Sequence, residues 1–564
     1  MLVVNMNDKI EKLIVDISLQ DRFGPLQPGS YIRGVYTFPY YTLRVNPDVR
    51  EILRRNNAEE NLHLLTKGEI VLAGSTALHE NLHWWQYIGS LSGIVFGLSL
   101  PALAICNKEY FDEFAEESGK FKPVIAYAKS LDYKMTEKEA PAINCLLDSY
   151  RSIYTYSSIL KGTKDIDESI EGERFASDID VMSKVYFHHL LLLQTTFADE
   201  SYLIPTARVF CEKINKYLDG EEDKDKDKDK VGDNEFLPDL NLIDLYEGQA
   251  RFNQMLYIRT FFKESKCDWA FFDSANMLSG KYYKAFKFFL DIVNDGERPD
   301  SIESPLVALY LVLIDIAINP AEGFVFDLVK PESFTHDINP VVRFEKLCRL
   351  VNSKHEEFKS HIKKYSSEEY WGISTTLCDE LGYFSPKKYL EEVNNWCKKS
   401  KNLQQLIKEN DKFSYSDANL PVRMIFGRFL SFQMDKLKNP EIFCWPGMFM
   451  NPAQGNLQAL PLYYKHQAVF IENIHQEIVP APLPGIDVEV LEDTATKFYQ
   501  SVAVYDLCNQ WAYEKGDFVC DAKWLSNTSG KKRVEEWVKS NFERVFGFSV
   551  DSFTTVPLTF NSKK

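Results

Sequence analysis

The sequence predicts a mainly α-helical protein with a small β-sheet, an α+β class, and three observations carry that prediction. Apolar residues recur at three- to four-residue spacing through windows such as 140–160, 179–193 and 240–262, which places them on one face of a helix. Two short runs near the start, 31–38 and 41–45, are rich in aromatic and β-branched residues and are separated at Pro39, so they read as strands. Of the 564 residues 45% are hydrophobic and 14% aromatic, which is material for a large core, and the length exceeds that of one ordinary domain.

After the strands, residues 69–78 form an apolar, proline-free run that leads directly into His79. Ser75 or Thr76 is placed to cap a helix starting there, and Trp84, Trp85 and Tyr87 indicate that its distal half is buried. Residues 88–106 are the most membrane-like stretch. Pro101 and several Gly and Ser interrupt it, so it reads as a buried helix and a turn, and no membrane span is expected. Between 219 and 234 acidic residues alternate with Lys; such a segment buries nothing and is expected to be a solvated, disordered loop. Apolar helices are expected again at 305–318 and 421–436, a rigid proline-rich turn at 479–485, a helix at 494–514 and a late strand at 554–560. The expected organisation is a catalytic region over 1–343 and a mainly helical region over 344–564, the latter suited to an interaction surface.

The net charge of −17 argues against a nucleic-acid partner, because phosphate binding needs a basic surface. The first nine residues lack a basic stretch followed by a long apolar one, so no secretory signal is expected. Ten cysteines are scattered with no CxxC pair, which suits reduced thiols and a cytoplasmic location.

The strongest chemical statement is His79-Glu80-Asn81-Leu82-His83, an HExxH pattern. On a helix, positions i and i+4 share a face, so both imidazoles can reach one metal ion. Glu80 stands where it can take a proton from a metal-activated water. Chance matches to the pattern number about 0.01 for this composition. Gln86, three residues after His83, shares the stripe and is placed to hydrogen-bond a metal-binding imidazole. The bland alternative is two histidines satisfied on a half-buried helix.

A catalytic zinc takes three protein ligands and keeps one position open. The HExxHxxGxxH continuation is excluded, because Gln86 and Gly89 stand where its Gly and third His belong. A downstream carboxylate is the other solution, and three places can supply it: Glu247 in Glu247-Gly248-Gln249-Ala250, Glu171 in Glu171-Gly172-Glu173, and the cluster Glu109, Glu113, Glu116 and Glu117.

The HExxH pattern resembles that of the zincin metallopeptidases. The Glu-Gly-x-Ala segment at Glu247 is similar to one that follows HExxHxxQ helices in several bacterial zincin-like families of gluzincin type. This resemblance implies a zincin-like core in which His79, His83 and Glu247 bind Zn2+ and Glu80 is the general base. It implies a cytosolic metallopeptidase acting on a peptide or protein, with a regulatory protein partner as a further expectation. The strand at 41–45 is expected to be an edge that holds substrate by β-addition.

Other candidates are weighed beside this one. Adjacent His188 and His189 point to different helix faces and suit core or surface roles better than a shared ion. His336 is placed in a loop from which it can donate to an oxyanion. Glu472-Asn473-Ile474-His475 and Glu80-Asn81-Leu82-His83 make two ExxH units, the pattern of di-iron sites in helical bundles. A non-catalytic scaffold of similar fold is the alternative from outside enzymology.

Overall fold

In the computed structural model, residues 33–57, 65–130, 141–161, 171–198, 203–224, 238–262, 267–326, 328–354, 357–358, 361–525 and 531–557 are described. The chain is 71% helical with a small mixed sheet, as the periodicity predicts. Strands β1 (Gly34–Thr37) and β2 (Thr42–Val45) pair antiparallel around the short turn at Pro39. A two-residue pair, β3 (Phe121–Lys122) and β6 (Thr554–Thr555), lies apart from them. Strands β4 (Phe470–Glu472) and β5 (Ile478–Pro480) form a hairpin, and β4 runs parallel to β2.

The sheet order is therefore β1-β2-β4-β5. This corrects the expectation for 41–45, since β2 is an interior strand, fully buried, and β1 is an edge among the described strands. The pairing that encloses it comes from the distant β4–β5 hairpin. Val479 and Pro480, expected in a turn, lie in the other edge strand, where a missing N–H costs the ladder little.

A buried charge cluster locks β2 to β4. Glu472 accepts from Arg44 and Arg50, and Arg44 also donates to the Trp524 carbonyl at 2.8 Å. Glu472 is thus committed to two guanidiniums, while His475 is exposed in the hairpin turn. The di-iron expectation fails here, because its second ExxH unit spans a strand end and a turn rather than a helix.

The motif lies on a helix spanning Lys67–Gly89, the histidine helix. Thr66 and Glu69 form a capping box at its start, so Ser75 and Thr76 are interior and their hydroxyls bond back to the Leu72 carbonyl. His79 therefore sits beyond the third turn rather than in the first. Leu242–Phe261, the glutamate helix, lies against it, with Gln254 near Ser75 at one end and Tyr246 and Gln249 near Gln86 at the other. Glycines permit the approach. A Cβ at Gly74 would stand 2.6 Å from the Tyr257 hydroxyl, and one at Gly248 would collide with that of Tyr310 on the helix Pro305–Ala317.

The stretch after the histidine helix is one continuous, buried helix, Leu91–Cys106, with Pro101 inside it. Pro101 leaves the Gly97 carbonyl without its helical donor, and the Tyr41 hydroxyl donates to that carbonyl instead. Leu91–Glu117 passes the length and hydropathy test for a membrane span, yet 78% of its apolar window is buried inside the protein. The helix Leu203–Lys224 extends into the alternating charge run expected as a loop, and residues 225–234 lie outside the described residues. The boundary expected between 343 and 344 falls inside the helix Pro340–Ser353, and one hydrophobic core runs from Tyr41 to Val550. The helix expected at 494–514 spans Val488–Tyr513. Of the late strand only Thr554 and Thr555 are extended, with 558–560 outside the described residues.

Candidate metal centre

His79 and His83 leave one face of the histidine helix and meet Glu247 from the glutamate helix. The two Nε2 atoms are 3.2 Å apart, and Glu247 Oε2 lies 3.3 Å from that of His79 and 3.5 Å from that of His83. An ion bound tetrahedrally at zinc–ligand distances of about 2.0–2.1 Å sets its ligands about 3.3–3.4 Å apart. The triangle therefore has the size of one face of a zinc tetrahedron. All three residues are buried.

The hydrogen bonds behind His83 fix its tautomer. Gln86 Nε2 donates to the Tyr246 carbonyl at 2.8 Å and to Gln249 Oε1 at 2.9 Å, so its Oε1 faces His83 Nδ1, 2.8 Å away. His83 Nδ1 must then carry the hydrogen, and the Nε2 lone pair points into the centre. Glu247 Oε2 is buried and makes no well-aligned hydrogen bond, the two imidazole nitrogens standing 3.3 and 3.5 Å away. Three possible ligand atoms converging in a buried space form a group that could hold a cation. Two imidazoles and one carboxylate are a donor set suited to zinc, with a fourth position left open.

Burial pushes His79 down to about 3, so it is neutral. Burial also lowers His83, but the Glu247 carboxylate outweighs it and holds that imidazole above its ordinary value. For Glu247 burial raises the carboxyl, and the two imidazoles pull it well below the usual carboxylate range. Burial raises Glu80 to about 7. Its side chain packs on β1, where a Cβ at Gly34 would stand 2.6 Å from Glu80 Oε1.

Three residues that sequence reasoning missed complete the surroundings. Lys281 Nζ donates to Glu247 Oε1, Arg251 lies four residues on from Glu247 on the same helix face, and the Tyr282 ring stands edge-on to His79 at 6.0 Å. The i, i+4 spacing to Glu247 was the available signal for Arg251. Lys281 and Tyr282 start a separate helix, Lys281–Val293, with no sequence signal of their own.

The rival residues lie elsewhere. Glu171 begins the helix Glu171–Phe197, and its side chain lies outside the described residues. Glu109, Glu113, Glu116 and Glu117 sit on the helix Lys108–Glu117, which packs on the helices Leu91–Cys106 and Pro141–Lys161. His188 meets Ser149 Oγ at 3.1 Å, and His189 is wedged between the carbonyls of Val185 and Val95, so both serve packing. His336 lies on the short helix Phe334–Asp337, which packs on Pro340–Ser353 and Glu171–Phe197. Among the described residues, His79, His83 and Glu247 are the group able to hold a metal.

No family model matches the chain, and neither a curated protein nor a solved structure is found to match it.

Proposed function

We propose that the protein is a zinc-dependent hydrolase acting on peptide bonds, with His79, His83 and Glu247 as ligands and Glu80 as general base. The observation that carries this reading is the fit of the three donor atoms to one tetrahedral face. A zinc ion held there makes water nucleophilic near neutral pH and polarises a carbonyl.

The rest of the work falls to the chain. Gln86 keeps the His83 lone pair aimed inward. Glu80, beside the ligands on the same helix, takes a proton from water and returns it. That proton passes to the leaving nitrogen as the carbon–nitrogen bond breaks, after a carbon–oxygen bond has formed from water. Strand β1, an edge among the described strands and in contact with Glu80, offers backbone groups to an extended peptide.

The test is metal analysis joined to a peptide-library digest. The purified protein is expected to bind one zinc and to cleave peptides, and Glu80→Gln is expected to keep the zinc and lose turnover. Retained turnover in Glu80→Gln refutes the base, and unchanged zinc in His79→Ala refutes the site. Zinc bound without any cleavage leaves a structural metal in a scaffold.

A further inference from the structure

Two cations stand at the metal centre, and of the two only Lys281 is in contact with a carboxylate; Glu247 and Glu80 act on Arg251 from beyond ion-pair distance. Lys281 Nζ holds Glu247 Oε1. Arg251 forms no ion pair among the described residues; Nη1 donates to the neutral Gln254, and its Nε is buried without a partner. The guanidinium carbon stacks 4.0 Å from the centroid of Tyr282, whose ring borders His79. An enclosed guanidinium ordinarily has a carboxylate beside it, because desolvating the charge is otherwise costly.

Arg251 and Lys281 bring two positive charges to the centre, against the full negative charge of Glu247 and at most one more from Glu80. A divalent ion at the centre is then left with its own charge uncompensated by protein, a field that favours an anionic ligand. The planar fork of arginine matches a carboxylate with two parallel hydrogen bonds. We propose that the centre is specific for substrates bearing a carboxylate beside the scissile carbonyl, with Arg251 as the clamp and Lys281 as the second cation. This rests on the hydrolase reading above and adds its substrate class. The carboxylate comes from an acidic side chain or from a free chain terminus.

The test titrates zinc-loaded protein with two hydroxamates of nearly equal size, succinic monohydroxamic acid and its neutral primary amide. The acid is expected to bind about 10- to 100-fold tighter, the worth of charge-assisted hydrogen bonds. Arg251→Met is expected to bring that ratio close to one and Arg251→Lys to restore part of it. Lys281→Met removes a half-exposed cation that holds Glu247 Oε1, so its zinc content is checked first, and the loaded variant is expected to reduce the ratio by a smaller factor. Equal affinities in the unsubstituted protein overturn the proposal, as does a preference that survives both methionine variants.

Competition with two peptides identifies the source of the carboxylate. One has an internal Asp and an amidated end; the other has a free terminus and no acidic residue. The one that displaces the acid hydroxamate names the source, and displacement by neither overturns the proposal. Cleavage is scored separately. Carboxylate preference without turnover keeps the clamp and removes the hydrolase, whereas turnover indifferent to acidic residues keeps the hydrolase and removes the clamp.

Discussion

Replacing Gln86 with Met keeps the length of the side chain and deletes both of its polar roles. His83 Nδ1–H loses its acceptor, and the Tyr246 carbonyl and Gln249 Oε1 lose a donor. With zinc on Nε2, the His83 hydrogen has nowhere to go but Nδ1, so a buried donor is left unsatisfied at a cost of about 1–3 kcal/mol. Without zinc the ring can carry its hydrogen on Nε2 instead, facing Glu247 Oε2 at 3.5 Å, and much of that cost is relieved. The penalty therefore falls on the metal-bound state and appears in affinity, at about 10- to 100-fold weaker binding. A competition titration against a chromophoric zinc chelator measures it, with urea unfolding of the metal-free protein as the control. Full occupancy at saturating zinc is expected to persist. A dissociation constant within threefold of the parent, with metal-free stability unchanged, refutes the argument that Gln86 sets the His83 tautomer.

The remaining predictions concern other contacts. Gly34→Ala places a Cβ 2.6 Å from Glu80 Oε1, so Glu80 must move; turnover is expected to fall about 100-fold while zinc content by mass spectrometry stays the same. Glu472→Leu leaves two buried guanidiniums without their carboxylate and is expected to cost about 3–5 kcal/mol, read from denaturant midpoints. Burial alone raises the Asp435 carboxyl, but hydrogen bonds from His466 and Lys465 outweigh it and hold the group at about 2. Its folded value is below the unfolded one of about 3.9, so its contribution is complete above that pH and is lost as pH falls toward 2. Asp435→Asn is accordingly expected to flatten stability against pH over that interval, as measured by thermal unfolding.

Local signals in the sequence were read well where a helix makes its own case. The windows 140–160 and 240–262 became helices within two residues of their expected ends, the window 179–193 lies inside a longer helix, Glu171–Phe197, and the motif spacing alone put His79 and His83 on one face. Glu247 was one of three open choices, and the Gly beside it does abut a neighbouring helix. The helix start was missed because Ser75 and Thr76 look like caps, although Thr66-x-x-Glu69 was present and is the stronger signal. Two other errors share a cause. Whether β2 is an edge and whether Glu472 is free depend on a pairing across more than four hundred residues, which no local window contains. Pro101 failed to end its helix for a similar reason, since the donor that replaces its missing N–H is the remote hydroxyl of Tyr41.

The clamp of Arg44 and Arg50 on Glu472 also sets the order of events during synthesis. The carboxylate lies 428 residues downstream of Arg44. At ribosomal rates of about 5–20 residues per second, roughly 20 to 90 s pass between the two leaving the exit tunnel. Through that interval β1 and β2 have no β4 beside them, and the strand that braces Glu80 is unsupported. The nascent chain therefore carries its histidines long before the strand in contact with Glu80 is braced, and the candidate centre is complete only in about the last sixth of translation.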